Sequence, residues 1–165
     1  MKQSLTVGLL VTIFHFFADC QNVNFKPSFS TTIEASKASK LLNQCSRSTP
    51  KNIKGFWTPT QNDIEILESN FGNITKITSK ECCFVNAKVD SLQNFAFQYV
   101  GVVVNGKKLI YINAFPLEDI VRFKQVNYDP SKMPVVACDG SSYYWGALFD
   151  PQTKQFSSLA FNGYG

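Results

Sequence analysis

The spacing of apolar positions changes near Phe84, from a helical period to the alternation typical of strands. A first helix is predicted over Thr31 to Gln44. It begins with a capping-box pattern, because a threonine hydroxyl and the Glu34 carboxylate can satisfy free backbone donors at a helix start. Its apolar residues recur at positions i, i+3, i+4 and i+7 of one helical face: Ala38, Leu41, Leu42 and Cys45. The pattern therefore directs Cys45 toward the core.

A second helix is predicted after a polar connector over Ser46 to Phe56. In its start signal, Thr58 is the expected N-cap, Pro59 the first helical residue and Gln61 the N3 partner. Trp57 is expected to pack beside this helix. Three apolar residues on one face and a closing glycine complete the pattern: Ile64, Leu67, Phe71 and Gly72.

The strongest strand signal is a hairpin that runs from Phe97 to Phe115 around Asn105-Gly106. Asn-Gly favours a two-residue type I′ turn, because both residues tolerate positive φ. Such a turn fixes the register, so Val104 should oppose Lys107, Val102 should oppose Leu109, and Val100 should oppose Tyr111. Both faces are apolar, which predicts a central hairpin covered on both sides. Gly101, opposite Ile110, predicts a bulge or a helix that packs close to this position.

Three more strands follow a long connection over Pro116 to Met133. They are predicted at Pro134–Cys138, Tyr143–Phe149 and Gln155–Phe161, separated by Asp-Gly and Asp-Pro turns. The expected fold class is α+β, with two N-terminal helices packed on one antiparallel β-meander of about five strands. It forms a single domain over residues 31–165, after an extended lead-in at 21–30.

The first 20 residues are typical of a secretory signal peptide. A charged start precedes a largely apolar run of 14 residues from Leu5 to Ala18, which is short for a membrane span. Cleavage after Cys20 is favoured. Cleavage after Ala18, a lipid-anchored Cys20 and an uncleaved anchor remain alternatives.

Cleavage after Cys20 would leave 145 of the 165 residues, a net charge of +4 and four cysteines. An even number of cysteines in an exported chain predicts disulfides. Adjacent residues are too close for normal disulfide geometry, so we expect Cys45 and Cys138 each to pair with one of Cys82 and Cys83. The triplet Asn73-Ile74-Thr75 is an N-glycosylation acceptor signal if the source is a eukaryote.

Composition excludes several classes of protein. Only 17% of residues are charged and 14% are aromatic, which is the reverse of a disordered chain. The mature chain would have no histidine, because His15 lies in the signal peptide, so histidine-dependent catalysis and metal ligation are not expected. Asp139 and Asp150 lie at opposite ends of one predicted strand, too far apart to act on one bond. Nucleic-acid binding is disfavoured by the low net charge.

Aromatic residues offer a candidate binding surface, because Tyr and Trp combine apolar area with a polar tip. The residues are Trp57, Tyr143, Tyr144 and Trp145. The alternative interpretation is that these residues alternate between the core and the cover of a strand. Glu118 and Asp119 are adjacent on a predicted loop and are expected to be solvated.

Several motifs together resemble a set of small exported bacterial proteins of unknown function. They are Trp57-Thr58-Pro59-Thr60, Gln98-Tyr99-Val100-Gly101, Asn105-Gly106-Lys107-Lys108, Tyr111-Ile112-Asn113-Ala114-Phe115, Cys138-Asp139-Gly140, Tyr144-Trp145-Gly146 and Phe161-Asn162-Gly163. The resemblance covers roughly Phe56 to Gly163 and implies no catalytic role. The arrangement is also broadly similar to cystatin-type folds, without an inhibitor motif.

These observations predict a secreted, disulfide-stabilised, non-catalytic protein that acts by binding, or a component of an extracellular matrix. Its expected partner is an extracellular protein, a glycan or the matrix, and no cofactor, metal or stable membrane insertion is expected. The alternatives are an inhibitor or ligand-binding module directed at a secreted hydrolase, and then a carboxylate-dependent hydrolase.

Overall fold

The computed structural model describes residues 25–81 and 83–164, so the predicted signal peptide lies outside the described residues. Within this part, a six-stranded sheet is combined with three α-helices in an α+β arrangement. The strands are β1 Ser30–Thr32, β2 Ile53–Trp57, β3 Phe95–Val104, β4 Lys107–Pro116, β5 Trp145–Asp150 and β6 Gln155–Phe161. The helices are α1 Ala38–Leu42, α2 Gln61–Ser69 and α3 Asp119–Gln125, and 3₁₀ helices lie at Ala35–Lys37, Phe71–Lys76 and Ser141–Tyr143.

The central hairpin of β3 and β4 confirms the prediction in its turn and its register. Asn105 and Gly106 have φ values of 50° and 77°, and Val104 opposes Lys107. The two further predicted pairs, Val102 with Leu109 and Val100 with Tyr111, are also present. The short turn fixes this register because it leaves no slack between the strands.

The predicted five-stranded meander with two N-terminal helices is wrong. The sheet has two further strands on the outer edge of β3, with β1 parallel to its first half and β2 antiparallel to its second half. Thr31 and Thr32 lie in β1 instead of capping a helix, which suits their β-branched side chains. β2 occupies the segment predicted as a polar connector.

Helix boundaries also differ from the prediction. Helix α2 begins after Thr60, which forms a capping box with Asp63, so the N-cap lies two residues beyond Thr58. Its buried face of Ile64 and Leu67 is as predicted. Helix α3 lies within the segment predicted as a connection.

The segment at 134–138 does not form a strand. Its backbone N–H and carbonyl groups form hydrogen bonds with two buried side chains instead of with a neighbouring strand. The Val135 N–H donates to Gln98 Oε1 at 2.8 Å, and the Val135 carbonyl accepts from Asn113 Nδ2 at 3.0 Å.

Apolar residues cover the sheet on both faces, as the hairpin predicted. One face carries the larger cluster, which includes Leu67, Phe71, Phe97, Tyr99 and Trp145. The other face packs against α1 through a cluster that includes Leu41, Val100, Val102 and Tyr111. Burial on both faces makes β3 and β4 the rigid centre that positions the candidate site.

Candidate ligand-binding site

A cavity of about 790 Å³ opens at the end of the sheet where β3 begins and β4 ends. Its walls come from the 88–95 segment, the start of α3, the 3₁₀ helix at Ser141–Tyr143, and β5 and β6. The apolar lining residues are Val89, Phe95, Pro116, Leu117, Val121, Tyr143, Trp145 and Phe161. This volume and apolar lining are typical of sites that hold a small organic ligand.

Trp145 forms the floor of the cavity. Strand alternation in β5 places it on the same face as Ala147 and Phe149, within the larger core cluster. Its ring meets Phe95 and Phe97 edge to face, with centroid distances of 5.6 Å and 5.9 Å. The Trp145 Nε1–H is buried and has no hydrogen-bond acceptor among the described residues. Such an unpaired buried donor costs about 1–3 kcal/mol.

The mouth of the cavity exposes two apolar side chains to solvent. Val121 on α3 is 62% exposed, and Tyr143 is 67% exposed. Polar and charged residues form the rest of the lining: Lys88, Asp90, Ser91, Asn94, Glu118 and Ser142. An apolar interior with a polar rim suits a ligand with an apolar body and a polar end.

Tyr144 and Asp119 tie the walls of the cavity together. The Tyr144 hydroxyl donates to Asp119 Oδ2, and Arg122 donates to Asp119 Oδ1 at 3.0 Å. Asp119 is buried, so the expectation that it is solvated is wrong. Burial, followed by the Asp119 carboxylate, raises the pKa of Tyr144 above its usual value. The phenol therefore stays protonated and keeps α3 attached to the start of β5.

The structure brings together only part of the predicted aromatic surface. Tyr143 and Trp145 both line the cavity, whereas Tyr144 packs in a separate cluster with Phe115 and Val135. Trp57 lies on β2, opposite Gly101, and its Nε1 lies within hydrogen-bond reach of the Val102 and Leu109 carbonyls at 3.3 and 3.2 Å. Trp57 therefore belongs to the packing of the sheet edge.

The disulfide pairing differs from the prediction. Cys45 bonds directly to Cys138 across 93 residues of sequence, and both cysteines are exposed. The prediction that Cys45 points into the core is therefore wrong, because α1 ends at Leu42 and Cys45 lies beyond it as an exposed residue. Cys83 is also disulfide-bonded, while Cys82 lies outside the described residues.

Arg47, two residues beyond this disulfide, is a buried residue that the sequence did not mark. Its guanidinium donates to Tyr111 Oη at 3.2 Å, to Asn162 Oδ1 at 2.7 Å and to Asn113 Oδ1. Asn162 in turn donates to the Ala137 and Asp139 carbonyls at 2.9 and 2.8 Å. This network fixes the 134–139 segment to the sheet, on the face opposite the cavity floor.

Asn73 of the predicted glycosylation signal lies in the 3₁₀ helix at Phe71–Lys76 and is half-buried. Its Oδ1 accepts a hydrogen bond from Lys76 Nζ at 2.9 Å. Asp139 lies before β5, and Asp150 is the last residue of that strand.

Comparisons with protein-family models, curated proteins and solved structures found no match for this chain. The resemblance to small exported bacterial proteins therefore stays a prediction. Across residues 25–81 and 83–164, no group of three or more His, Cys, Asp or Glu side chains is placed to hold a metal ion. The same part of the chain has no helix with the length and apolar character needed to cross a membrane.

Proposed function

We propose that this chain is a secreted, non-catalytic protein that binds a small, largely apolar ligand in the cavity above Trp145. The ligand has a polar end that faces the polar rim of the cavity. The observation that carries this proposal is the cavity of about 790 Å³ itself, whose lining is mostly apolar and includes the buried Trp145. A ligand that filled this cavity would remove its apolar wall from water, which favours binding.

The exposed apolar residues at the mouth support the same proposal. Val121 and Tyr143 are 62% and 67% exposed beside a cavity that already has an apolar wall. Exposed apolar area that continues into a concave site is typical of a ligand entrance. The Asp119 carboxylate beside the cavity is buried and engaged by Tyr144 and Arg122, which suits a structural role better than catalysis.

The Cys45–Cys138 disulfide supports secretion. Both cysteines are exposed, so a reducing compartment would have access to them. Disulfides of this kind persist where the surroundings are oxidising. Peptide mapping of the native protein tests this part, because a free thiol at both positions would contradict it.

The binding proposal is tested by titration with 1-anilinonaphthalene-8-sulfonate, an aromatic probe with an anionic end. We expect saturable binding by the native protein. Val121→Asp should weaken binding about tenfold or more, because the anionic probe then meets a like charge at the entrance and loses apolar contact there.

Val126→Asp is the matched control for this test. Val126 follows the same helix, is 71% exposed and does not line the cavity. We expect the affinity of the Val126→Asp variant for the probe to stay within twofold of that of the native protein. Equal effects of the two variants, or the absence of saturable binding by the native protein, would contradict the proposal.

A further inference from the structure

Five exposed lysines collect at the end of the sheet opposite the cavity. They lie at the start of β2, in the β3–β4 turn and in the β5–β6 turn, where neighbouring strands begin or end. The residues are Lys51, Lys54, Lys107, Lys108 and Lys154. A third of the 15 basic residues that remain after the predicted cleavage thus lie at one end of the molecule.

The strand order sets how these lysines are spread. Ile53 of β2 pairs with Val104 beside the hairpin turn, and Asp150 pairs with Gln155 at the base of the next turn. At this end the neighbouring strands run in the order β2, β3, β4, β5, β6. Adjacent strands lie about 4.8 Å apart, so the row of strand ends spans about 19 Å.

The lysine end is poor in compensating negative charge. Asp150 lies in one of these turns, but its Oδ1 accepts the backbone N–H groups of Gln152 and Thr153 at 2.9 and 3.2 Å. None of the five ammonium groups forms a salt bridge with a residue in the described ranges. Their mutual repulsion would be relieved by an anion that contacts several of them together.

We propose that this lysine end binds a linear anionic polysaccharide. A chain of repeated negative charges can follow the row of strand ends and contact successive lysines. The surface offers point charges and lacks arginine, and the Trp57 ring is covered by Lys108 Nζ at 5.4 Å from its centroid. Phe56 of β2, 38% exposed, is a single exposed ring rather than a row of them. Proteins that bind single-stranded nucleic acids instead present aromatic rings on which bases stack. The lysine end is separate from the cavity. The polysaccharide proposal and the ligand-binding proposal can therefore each be refuted without affecting the other.

Binding to heparin at several salt concentrations tests the proposal. The double variant Lys54→Gln/Lys107→Gln removes two of the five charges and no hydrogen bond, salt bridge or ring contact among the described residues. We expect it to bind heparin about tenfold more weakly. The slope of log affinity against log salt should also fall by about two, because each lost ion contact releases one counterion fewer.

The control Lys26→Gln/Lys124→Gln makes the same change in net charge away from the lysine end. Lys26 precedes β1, and Lys124 lies in α3 near the cavity, and both are exposed. The affinity of this control variant for heparin should stay within twofold of that of the native protein. Equal losses in both variants would show that net charge alone determines binding and would overturn the proposal. Equal or tighter binding of single-stranded DNA at the same salt would overturn the choice of a polysaccharide.

Discussion

Arg47 departs from the usual rule that a buried charge is paired with an opposite charge. The Arg47 residue is 6% exposed, and the three acceptors of its guanidinium are the neutral oxygens of Tyr111, Asn113 and Asn162. A planar guanidinium can donate in several directions at once, which an ammonium on a flexible stem cannot do. The geometry of its donors, beyond its charge, therefore stabilises this part of the fold.

We predict that Arg47→Lys lowers the free energy of unfolding by about 2–4 kcal/mol, because buried acceptors lose their donors. Urea unfolding measures this change. The control is Arg122→Lys, since the Arg122 side chain is 71% exposed. The control should stay within about 0.5 kcal/mol of the native protein. A similarly small effect at Arg47 would contradict the structural role of the network.

Gly101 is the second residue whose identity the packing dictates. A Cβ at this position would lie 2.6 Å from two carbons of the Trp57 ring and against the Trp57 carbonyl. The sequence predicted a bulge or a closely packed helix here, whereas the element that approaches Gly101 is strand β2.

Gly101→Ala should destabilise the protein by about 1–3 kcal/mol, because the ring and strand β2 must move to admit a methyl group. Gly55→Ala in β2 is the matched control, since a Cβ there meets no atom within 4 Å. Thermal unfolding of the two variants distinguishes them. Equal melting temperatures would contradict the close packing of Trp57 on β3.

At the scale of elements, the buried Tyr99 and the half-buried Tyr144 join helices to the sheet. Tyr99 on β3 lies 3.1 Å from Glu68 Oε1 of α2, and the same oxygen accepts from Ser30 Oγ of β1 at 2.7 Å. Tyr144 links the start of β5 to Asp119 of α3. Burial first, and then the neighbouring carboxylate, raise the pKa of both phenols.

These raised pKa values predict how stability depends on alkaline pH. The folded state holds the phenol protons more tightly than the unfolded state, whose tyrosines titrate near pH 10. The contribution of these two phenols to the free energy of unfolding is therefore fully present below about pH 10 and is lost as the pH rises further. We expect part of the 295 nm absorbance change to appear only when the protein unfolds. Complete tyrosine ionisation in the folded protein near pH 10 would contradict this expectation.

Local signals in the sequence were enough to predict some elements of the fold and not others. The register of the hairpin followed from Asn105-Gly106, because a two-residue turn determines which residues face each other. The short strands β1 and β2 have only three and five residues and exist by pairing with the distant β3. Their own sequences carry a signal too weak to separate them from a helix start or a connector.

The candidate site was predictable only in part for the same reason. Tyr143 and Trp145 stood out as neighbouring aromatic residues, and both line the cavity. Val121 and the buried Asp119 did not stand out in the sequence, because α3 lies in a segment whose apolar residues show no clear helical spacing. The sequence around Arg47 does not indicate that this residue is buried, since its three acceptors lie more than 60 residues away along the chain.

At the scale of the whole molecule, the two proposed sites lie at opposite ends of one sheet. The cavity lies where β3 begins, and the lysines lie around the β3–β4 turn. Burial on both faces makes the hairpin that connects these ends rigid. One end could therefore hold the protein on an extracellular polymer while the other end takes a small ligand.

The most direct test of the binding proposal uses the two tryptophans of the sequence. Their indole N–H groups give separate signals in a ¹⁵N NMR spectrum. The Trp57 donor lies within reach of backbone carbonyls, whereas the Trp145 donor has no acceptor among the described residues. On addition of 1-anilinonaphthalene-8-sulfonate, we predict that the Trp145 signal shifts with saturation while the Trp57 signal stays in place. A shift confined to Trp57, or no shift of Trp145 at saturating probe, would contradict the account.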